Sequence, residues 1–213
     1  IPRLIALWRA GRLPVEKLLH PFPFAAIDEA VTAVRSGAAV KAVLLPGTEA
    51  QAPPARPTTD LLTWLRSGAA SDADLAGLWR SLPPVAPEML RGLWRGWGVT
   101  EGHVAGRMLV STRWYGKLFA ASDDVAPIVC ATDDGLVEDS TFSRGGAQLR
   151  IVEHDGIRTA AMIYDARPII DLFVRLSEDA VLGVMTGRDT LDKGRAYYFV
   201  LERDRDPQPV RRA

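Results

Sequence analysis

The chain has 213 residues, of which 47% are hydrophobic and 24% charged, a composition typical of a globular protein with a sizeable core and not of a wholly disordered chain. Lysine plus arginine and aspartate plus glutamate number 26 each, so there is no overall excess of positive charge that would favour nucleic-acid binding. The single cysteine, Cys130, excludes an intrachain disulfide and a cysteine-based zinc cluster.

The start of the chain bears on location and completeness. No run reaches the roughly 18 apolar residues needed to span a bilayer, and Ile1-Pro2-Arg3 is not typical of a signal peptide. We therefore expect no membrane span and a cytoplasmic location. Because the chain begins with isoleucine and not methionine, we also expect it to be processed or to be part of a longer protein.

Residues 1–47 predict a helix, a loop, a second helix and a strand. The first helix has apolar residues on one face between Leu4 and Trp8. The second is predicted over 26–35, and residues 39–45 predict one short apolar strand. No neighbouring strand is predicted, so this strand is expected to lack the sheet that its backbone groups need.

Prolines and small residues over 48–59 are typical of a linker. Beyond it, residues 61–65 and 74–81 predict two helices, the second with Ser71 or Asp72 as its N-cap. A boundary between two parts of the chain is therefore expected at this linker.

From Gly92 onward the sequence predicts mainly β structure. Asp155-Gly156 between two apolar segments is a strong hairpin signal. About seven or eight antiparallel strands are expected, near residues 108–119, 125–131, 147–153, 157–164, 169–176, 181–185 and 196–201. A sheet of that size tends to curl and close. The expected fold class is α+β, mainly β: an antiparallel barrel or strongly curled sheet of lipocalin-like size with flanking N-terminal helices.

Residues 1–47 resemble the C-terminal end of zinc-dependent medium-chain alcohol dehydrogenases. The resemblance is carried by the segments 4–13, His20-Pro21-Phe22, 27–30, Arg35-Ser36-Gly37 and 40–45. In that family the zinc ligands and the dinucleotide-binding loop lie upstream of this segment. The resemblance therefore implies a tail fragment without an active site, not a competent dehydrogenase.

Residues 73–203 resemble the GXWXG family, whose function is not established. The resemblance is carried by Gly92-Leu93-Trp94-Arg95-Gly96, Gly102-His103, Trp114-Tyr115-Gly116-Lys117, Ala161-Met162-Ile163-Tyr164-Asp165 and Pro168-Ile169-Ile170-Asp171. The two resemblances, together with the linker composition and the charged, proline-containing end of the chain, predict four parts. These are a dehydrogenase tail fragment over 1–47, a linker over 48–59, a GXWXG-like barrel over 60–203 and a flexible tail over 204–213.

Several residues of the barrel are candidates for ligand binding. Trp94, between two glycines, is expected to close one end of the core or to contact a ligand. On a regular strand Tyr115 and Lys117 would share one face and Trp114 would lie on the other. If the shared face is interior, an ammonium beside a phenol would anchor a carboxylate or phosphate; if it is exterior, both side chains are ordinary surface groups.

Four further candidates are polar groups in or beside predicted strands. Asp171 lies in an otherwise apolar run and needs a partner or water if it is buried. Tyr164 and Asp165 precede a turn, where Asp165 has the simpler interpretation of a turn residue. His103 follows Gly102 and is a candidate base, haem ligand or turn residue, but no metal-ligand spacing accompanies it.

Three functional hypotheses follow. The first is a small barrel that binds an apolar or amphipathic ligand, such as a fatty acyl compound, without a cofactor or nucleic-acid partner. The second is an enzyme that uses His103, Asp165, Asp171 and Lys117, which requires these four to converge. The third is a fragment or fusion of a zinc- and NAD(P)-dependent alcohol dehydrogenase whose catalytic part is missing. The oligomeric state is left open.

Overall fold

The structure is a computed structural model that describes residues 19–23, 27–45 and 58–212. Contacts divide the chain into two compact units, Ile1–Ala55 and Arg56–Ala213, and each unit has its own sheet. Among the described residues, no helix has the length and apolarity that crossing a membrane requires.

The described part of the first unit is a β-α-β arrangement. Strand β1 (Leu19–Pro23) precedes helix α1 (Ile27–Arg35) and strand β2 (Lys41–Leu45). The predicted helix over 26–35 is thus confirmed, whereas the helix predicted near Leu4 lies outside the described residues. The prediction that residues 39–45 lack a sheet is wrong, because β2 pairs in parallel with β1. Strand β1 carries two prolines, which an edge strand tolerates.

Two helices open the second unit. They are α2 (Thr58–Arg66) and α3 (Asp72–Ser81), close to the predicted positions. Helix α3 begins with the capping box expected of a Ser-x-x-Asp sequence. The Asp74 N–H donates to Ser71 Oγ at 3.2 Å, and the Ser71 N–H donates to Asp74 Oδ2 at 3.0 Å. A 3-10 turn (Pro87–Leu90) then leads into the sheet.

The sheet of the second unit contains ten strands within residues 58–212, and its central eight form a ring. The strands are β3 (Gly92–Gly98), β4 (Trp114–Ala121), β5 (Asp124–Thr132), β6 (Gly135–Glu138), β7 (Ala147–His154), β8 (Ile157–Tyr164), β9 (Ile169–Arg175), β10 (Ala180–Gly187), β11 (Tyr197–Arg203) and β12 (Val210–Arg211). Their order is β12-β6-β5-β4-β3-β11-β10-β9-β8-β7, and Val125 on β5 pairs with Ala147 on β7. This last pairing closes the ring from β5 round to β7. The predicted curled, mainly antiparallel fold is confirmed.

Two parts of the β region differ from the prediction. Residues 108–111 belong to helix α4 (Val104–Ser111), and the strand predicted there begins only at Trp114. A second short helix, α5 (Ser140–Ser143), follows β6. The predicted loose tail also contains order, because β12 pairs in parallel with β6 and Asp204 is buried.

The apolar side chains of the second unit form three clusters. The largest fills the interior of the ring and includes Trp94, Phe119, Phe173 and Phe199. A second cluster lies where α2 and α3 pack on the outer face of β9, β10 and β11. A third, smaller cluster is formed by β3, β5 and β6. The ring therefore has a packed core inside and a covered face outside.

Candidate functional site

An irregularity in β4 decides which of its side chains face the interior. The pairing of β4 with β5 shifts register around Gly116. Trp114 consequently packs with the interior cluster, and Tyr115 packs with the third cluster on the outside. Lys117 is 3% exposed and lines an interior cavity. The prediction that Tyr115 and Lys117 share a face is therefore wrong, since a β-bulge breaks the alternation of side chains.

Lys117 forms a buried ion pair with Asp171 on β9. Its Nζ lies 2.9 Å from Asp171 Oδ2, and the two side chains are 3% and 2% exposed. The ammonium also donates to the carbonyl oxygen of Pro127 at 3.0 Å and lies 5.2 Å from the ring centre of Phe199. Removing two charges from water is costly, so such a pair is weak evidence for stability and marks a candidate site.

Asp171 is incompletely satisfied by the protein. Its Oδ1 is buried and accepts no hydrogen bond of regular geometry from the described residues. Burial raises the pKa of Asp171, while Lys117 and Tyr164 act in the opposite direction. Burial and the neighbouring Asp171 raise the pKa of Tyr164 well above its usual value. The carboxylate, ammonium and phenol form one interacting group inside the ring, which we call the inner polar site (Lys117, Tyr164 and Asp171).

A small cavity of about 20 Å³ adjoins the inner polar site. A volume of that size accommodates one water-sized group and no more. Most of its wall is apolar, with Met108 from α4 and Met185 and Phe199 from the sheet. The interior of the ring is thus filled mainly by side chains, apart from this space beside Asp171.

A larger pocket of about 490 Å³ lies at the end of the ring covered by α4, and we call it the mouth pocket. This volume is within the range of small-molecule binding sites. Four glycines and four aromatic rings line much of it: Gly96, Gly98, Gly102, Gly106, Trp97, His103, Trp114 and Tyr197. The glycines leave room for the rings, since a Cβ at Gly96 would lie 2.1 Å from Trp114 Cη2.

Three side chains separate the mouth pocket from the inner polar site. Trp114, Leu109 and Tyr197 line both cavities. The indole of Trp114 is held by a hydrogen bond from its Nε1 to the carbonyl oxygen of Gly116, at 2.8 Å. The two cavities are therefore neighbours divided by one layer of side chains, which we call the partition (Leu109, Trp114 and Tyr197).

His103 is the N-cap of α4 and holds this helix at the mouth. Its Nδ1 accepts a hydrogen bond from the Ala105 N–H at 3.1 Å, and Nε2 lies 3.2 Å from the Arg195 carbonyl oxygen. These contacts fix the tautomer with the proton on Nε2. Burial lowers the pKa of His103, and its ring lies 5.1 Å from that of Tyr197. His103 therefore lines the mouth pocket as a neutral positioning group.

Trp94 closes the ring near the opposite end of β3. It is fully buried, and its Nε1 donates to the Leu90 carbonyl oxygen at 2.7 Å. The guanidinium of Arg203 lies 4.3 Å from its ring centre. Trp94 lines neither of the two cavities. Of the two predicted roles, this position fits the closing of the core.

Tyr115 and Asp165 lie away from both cavities. The Tyr115 hydroxyl donates to Asp204 and accepts from Arg95 Nε at 2.8 Å, so it belongs to a polar cluster on the outside of the ring. Asp165 is an exposed turn residue whose N–H donates to the Gly146 carbonyl oxygen at 3.1 Å. Neither residue lines the mouth pocket or the inner cavity.

The structure thus brings together only some of the predicted site residues. Lys117, Tyr164 and Asp171 meet inside the ring, and Trp114 and His103 line the mouth pocket. Sequence reasoning missed Tyr197 and Leu109, because each has the ordinary appearance of a core residue. The clearest available signal was the clustering of Gly96, Gly98, Gly102 and Gly106, since glycines permit close approach of large rings.

Comparison with known proteins gives two family matches, both within the second unit. Residues 77–135 match the family described as GXWXG protein, and residues 145–203 match the domain of unknown function DUF4334. A crystal structure of a protein from Thermomonospora curvata is 35% identical with a TM-score of 0.63, and the match covers 70% of this chain and 98% of that one. No curated protein matches the chain significantly. Both family matches lie outside residues 1–47, so the alcohol dehydrogenase resemblance stays a prediction.

Proposed function

The second unit carries a GXWXG domain and a DUF4334 domain, and on that premise we propose that its barrel binds a small apolar or amphipathic ligand, such as a fatty acyl compound. The observation that carries this proposal is the mouth pocket, about 490 Å³ in volume and lined by aromatic rings and glycines. Pockets of this size and apolar character hold small organic ligands in other proteins.

Helix α4 supplies one wall of the pocket and its most exposed apolar residue. Val110 lines the pocket and is 81% exposed, while Leu109 beside it is buried. An apolar ligand in the pocket would remove part of this exposed surface from water, which favours binding. The partition gives such a ligand a floor of two rings and an aliphatic side chain.

The experiment is a binding measurement with a matched pair of variants. In Gly106→Leu the new side chain is directed at Tyr197, because a Cβ at Gly106 would already lie 3.2 Å from Tyr197 Cε2. We expect Gly106→Leu to abolish binding of an apolar fluorescent probe and of C12 lipids in native mass spectrometry. Gly77→Leu makes the same change on α3, where a Cβ meets nothing within 4 Å, and should bind like the unaltered chain. Equal binding by the two variants would place the ligand elsewhere.

The enzyme hypothesis with four converging polar residues is not favoured. Lys117 and Asp171 are in contact, but His103 lies at the mouth and Asp165 is exposed on a turn. Among the described residues there is also no group of three or more His, Cys, Asp or Glu side chains arranged to hold a metal ion. A binding role does not require these four side chains to converge, and it therefore fits their observed positions better.

The dehydrogenase hypothesis concerns the first unit alone. It proposes that residues 1–47 are the end of an alcohol dehydrogenase whose zinc- and nicotinamide-binding parts precede Ile1. The β1-α1-β2 arrangement with parallel strands is compatible with a fragment of a larger sheet. Sequencing the gene upstream of Ile1 tests it: a continuous reading frame with the zinc ligands supports it, and a stop codon contradicts it.

A further inference from the structure

Oδ1 of Asp171 is a buried acceptor that receives no hydrogen bond of regular geometry from the described residues, although the nearby Tyr164 hydroxyl acts on the carboxylate and lowers its pKa. The Asp171 side chain is 2% exposed and lines the inner cavity, and Oδ1 has no hydrogen-bond partner among the described residues. Its other oxygen, Oδ2, is occupied by Lys117. Buried polar atoms are nearly always hydrogen-bonded in native proteins, so this oxygen indicates a position where a donor belongs.

The charge of the inner polar site is already balanced. The Lys117 ammonium and the Asp171 carboxylate are in direct contact. The positive charge of Arg167 acts through space to lower the pKa of Tyr164. The Arg167 side chain itself donates to the Phe142 carbonyl oxygen and does not line the cavity. A ligand carboxylate would bring a second negative charge to a site whose only lining cation, among the described residues, is paired. Such a ligand is disfavoured, because a buried charge needs its own partner.

We propose that the inner polar site recognises an uncharged hydrogen-bond donor, in the simplest case an alcohol hydroxyl, which donates to Oδ1 of Asp171. This inference rests on the binding function proposed above and names the ligand class. The ammonium of Lys117 can donate three hydrogen bonds and makes two, to Asp171 and Pro127. The hydroxyl oxygen of the ligand can therefore accept the third hydrogen bond of Lys117, while the hydroxyl group donates its own hydrogen bond to Oδ1 of Asp171.

The size and position of the cavities fit a ligand that is polar at one end only. The inner cavity of about 20 Å³ has room for a hydroxyl but not for an alkyl chain. The chain of the alcohol would lie in the mouth pocket, on the other side of the partition. Binding therefore requires the partition to open, and we place that opening at the Trp114 side chain, which is only partly buried.

The test compares three C12 ligands on the unaltered chain by isothermal titration calorimetry. They are 1-dodecanol, its methyl ether and dodecanoate, which share the apolar chain and differ in donor ability and charge. We expect 1-dodecanol to bind at least about tenfold more tightly than either of the others, because each loses the hydrogen bond to a buried carboxylate. The comparison does not depend on any substitution being tolerated.

A variant that removes the negative charge of Asp171 makes the test more specific. In Asp171→Asn the Lys117 ammonium loses its counter-ion, so dodecanoate should become the preferred ligand and supply the missing negative charge. Asp165→Asn removes an exposed carboxylate from the neighbouring turn and should leave the preference for 1-dodecanol unchanged. Circular dichroism on each variant establishes that it is folded.

The outcomes separate this inference from the proposed function. Equal affinity for all three ligands, or a preference of the unaltered chain for dodecanoate, would overturn the alcohol inference and leave the binding function standing. Failure of all three ligands to bind would contradict both. A preference for 1-dodecanol that persists in Asp171→Asn would show that another group receives the hydroxyl, and would also overturn the inference.

Discussion

Gly116 on β4 lies directly against the backbone of Trp94 on β3. A Cβ at position 116 would come within 1.8 Å of the Trp94 carbonyl oxygen, a distance that no side chain can occupy. This close approach accompanies the register shift that turns Lys117 into the ring. The position of the inner polar site therefore depends on a glycine whose strand, β4, is separated from the strand of Asp171, β9, by three others in the sheet order.

Replacing Gly116 should be strongly destabilising. We expect Gly116→Ala to lower the free energy of unfolding by about 2–4 kcal/mol, because backbone must move to admit the methyl group. Gly77→Ala places the same methyl group in open space on α3 and should be neutral or stabilising by up to about 1 kcal/mol. Urea unfolding of the two variants measures the difference. Similar free energies for both would show that the β4 bulge adapts to a side chain.

The stability of the protein should fall when His103 is forced to accept a proton. Burial lowers the pKa of His103 from its ordinary 6.5, so below about pH 6.5 the unfolded state binds more protons than the folded state. The free energy of unfolding then decreases as the pH falls from 6.5 toward the folded-state pKa, and it is fully restored above 6.5.

The matched control for this pH dependence is His103→Asn. Asparagine keeps a side-chain acceptor for the N-cap of α4 but does not titrate. Thermal unfolding of both chains, measured between about pH 5 and about pH 7.5, spans the range in which an ordinary histidine titrates. The variant should lose less stability on acidification than the unaltered chain. Parallel curves for the two chains would mean that other groups carry the pH dependence.

The polar cluster outside the ring should contribute to stability and not to binding. Tyr115→Phe removes the hydroxyl that joins Asp204 and Arg95, and we expect a loss of about 1–2 kcal/mol in the free energy of unfolding. The pKa of Asp204, which the Tyr115 hydroxyl helps to lower against the effect of burial, should rise in this variant.

The exposed ion pair between Asp133 and Arg113 provides the control for Tyr115→Phe. Asp133 is 93% exposed and pairs with Arg113, so Asp133→Asn should change the free energy of unfolding by less than about 0.5 kcal/mol. Chemical denaturation measures stability, and titration with 1-dodecanol measures binding. Loss of binding in Tyr115→Phe without loss of stability would contradict the assignment of Tyr115 to the outside.

The parts of the fold that local rules govern could be predicted from the sequence. The Asp155-Gly156 turn joins β7 and β8, with φ of 49° and 76° at the two residues, as a two-residue hairpin with positive φ requires. Ser71 caps α3 through the expected capping box. Asp171 and Phe173, two residues apart on β9, both lie toward the interior, as regular strand alternation requires.

The site itself depends on features that local rules do not contain. The bulge at Gly116 reverses the side-chain alternation between Tyr115 and Lys117, and its cause is the approach of another strand. The partner of Asp171 is 54 positions earlier in the chain, at Lys117, so no spacing rule connects them. Strand β1 was missed because Pro21 and Pro23 are typical of loops.

The most direct test of the binding account is an intermolecular nuclear Overhauser spectrum of the unaltered chain with ¹³C-labelled 1-dodecanol. With the hydroxyl at Asp171 and the alkyl chain in the mouth pocket, we expect contacts from the C1 methylene to the Lys117 and Tyr164 side chains, and from the chain methylenes to the rings of Trp114 and Tyr197. Contacts confined to other surfaces, or a C1 methylene that contacts no residue of the inner polar site, would contradict the binding account.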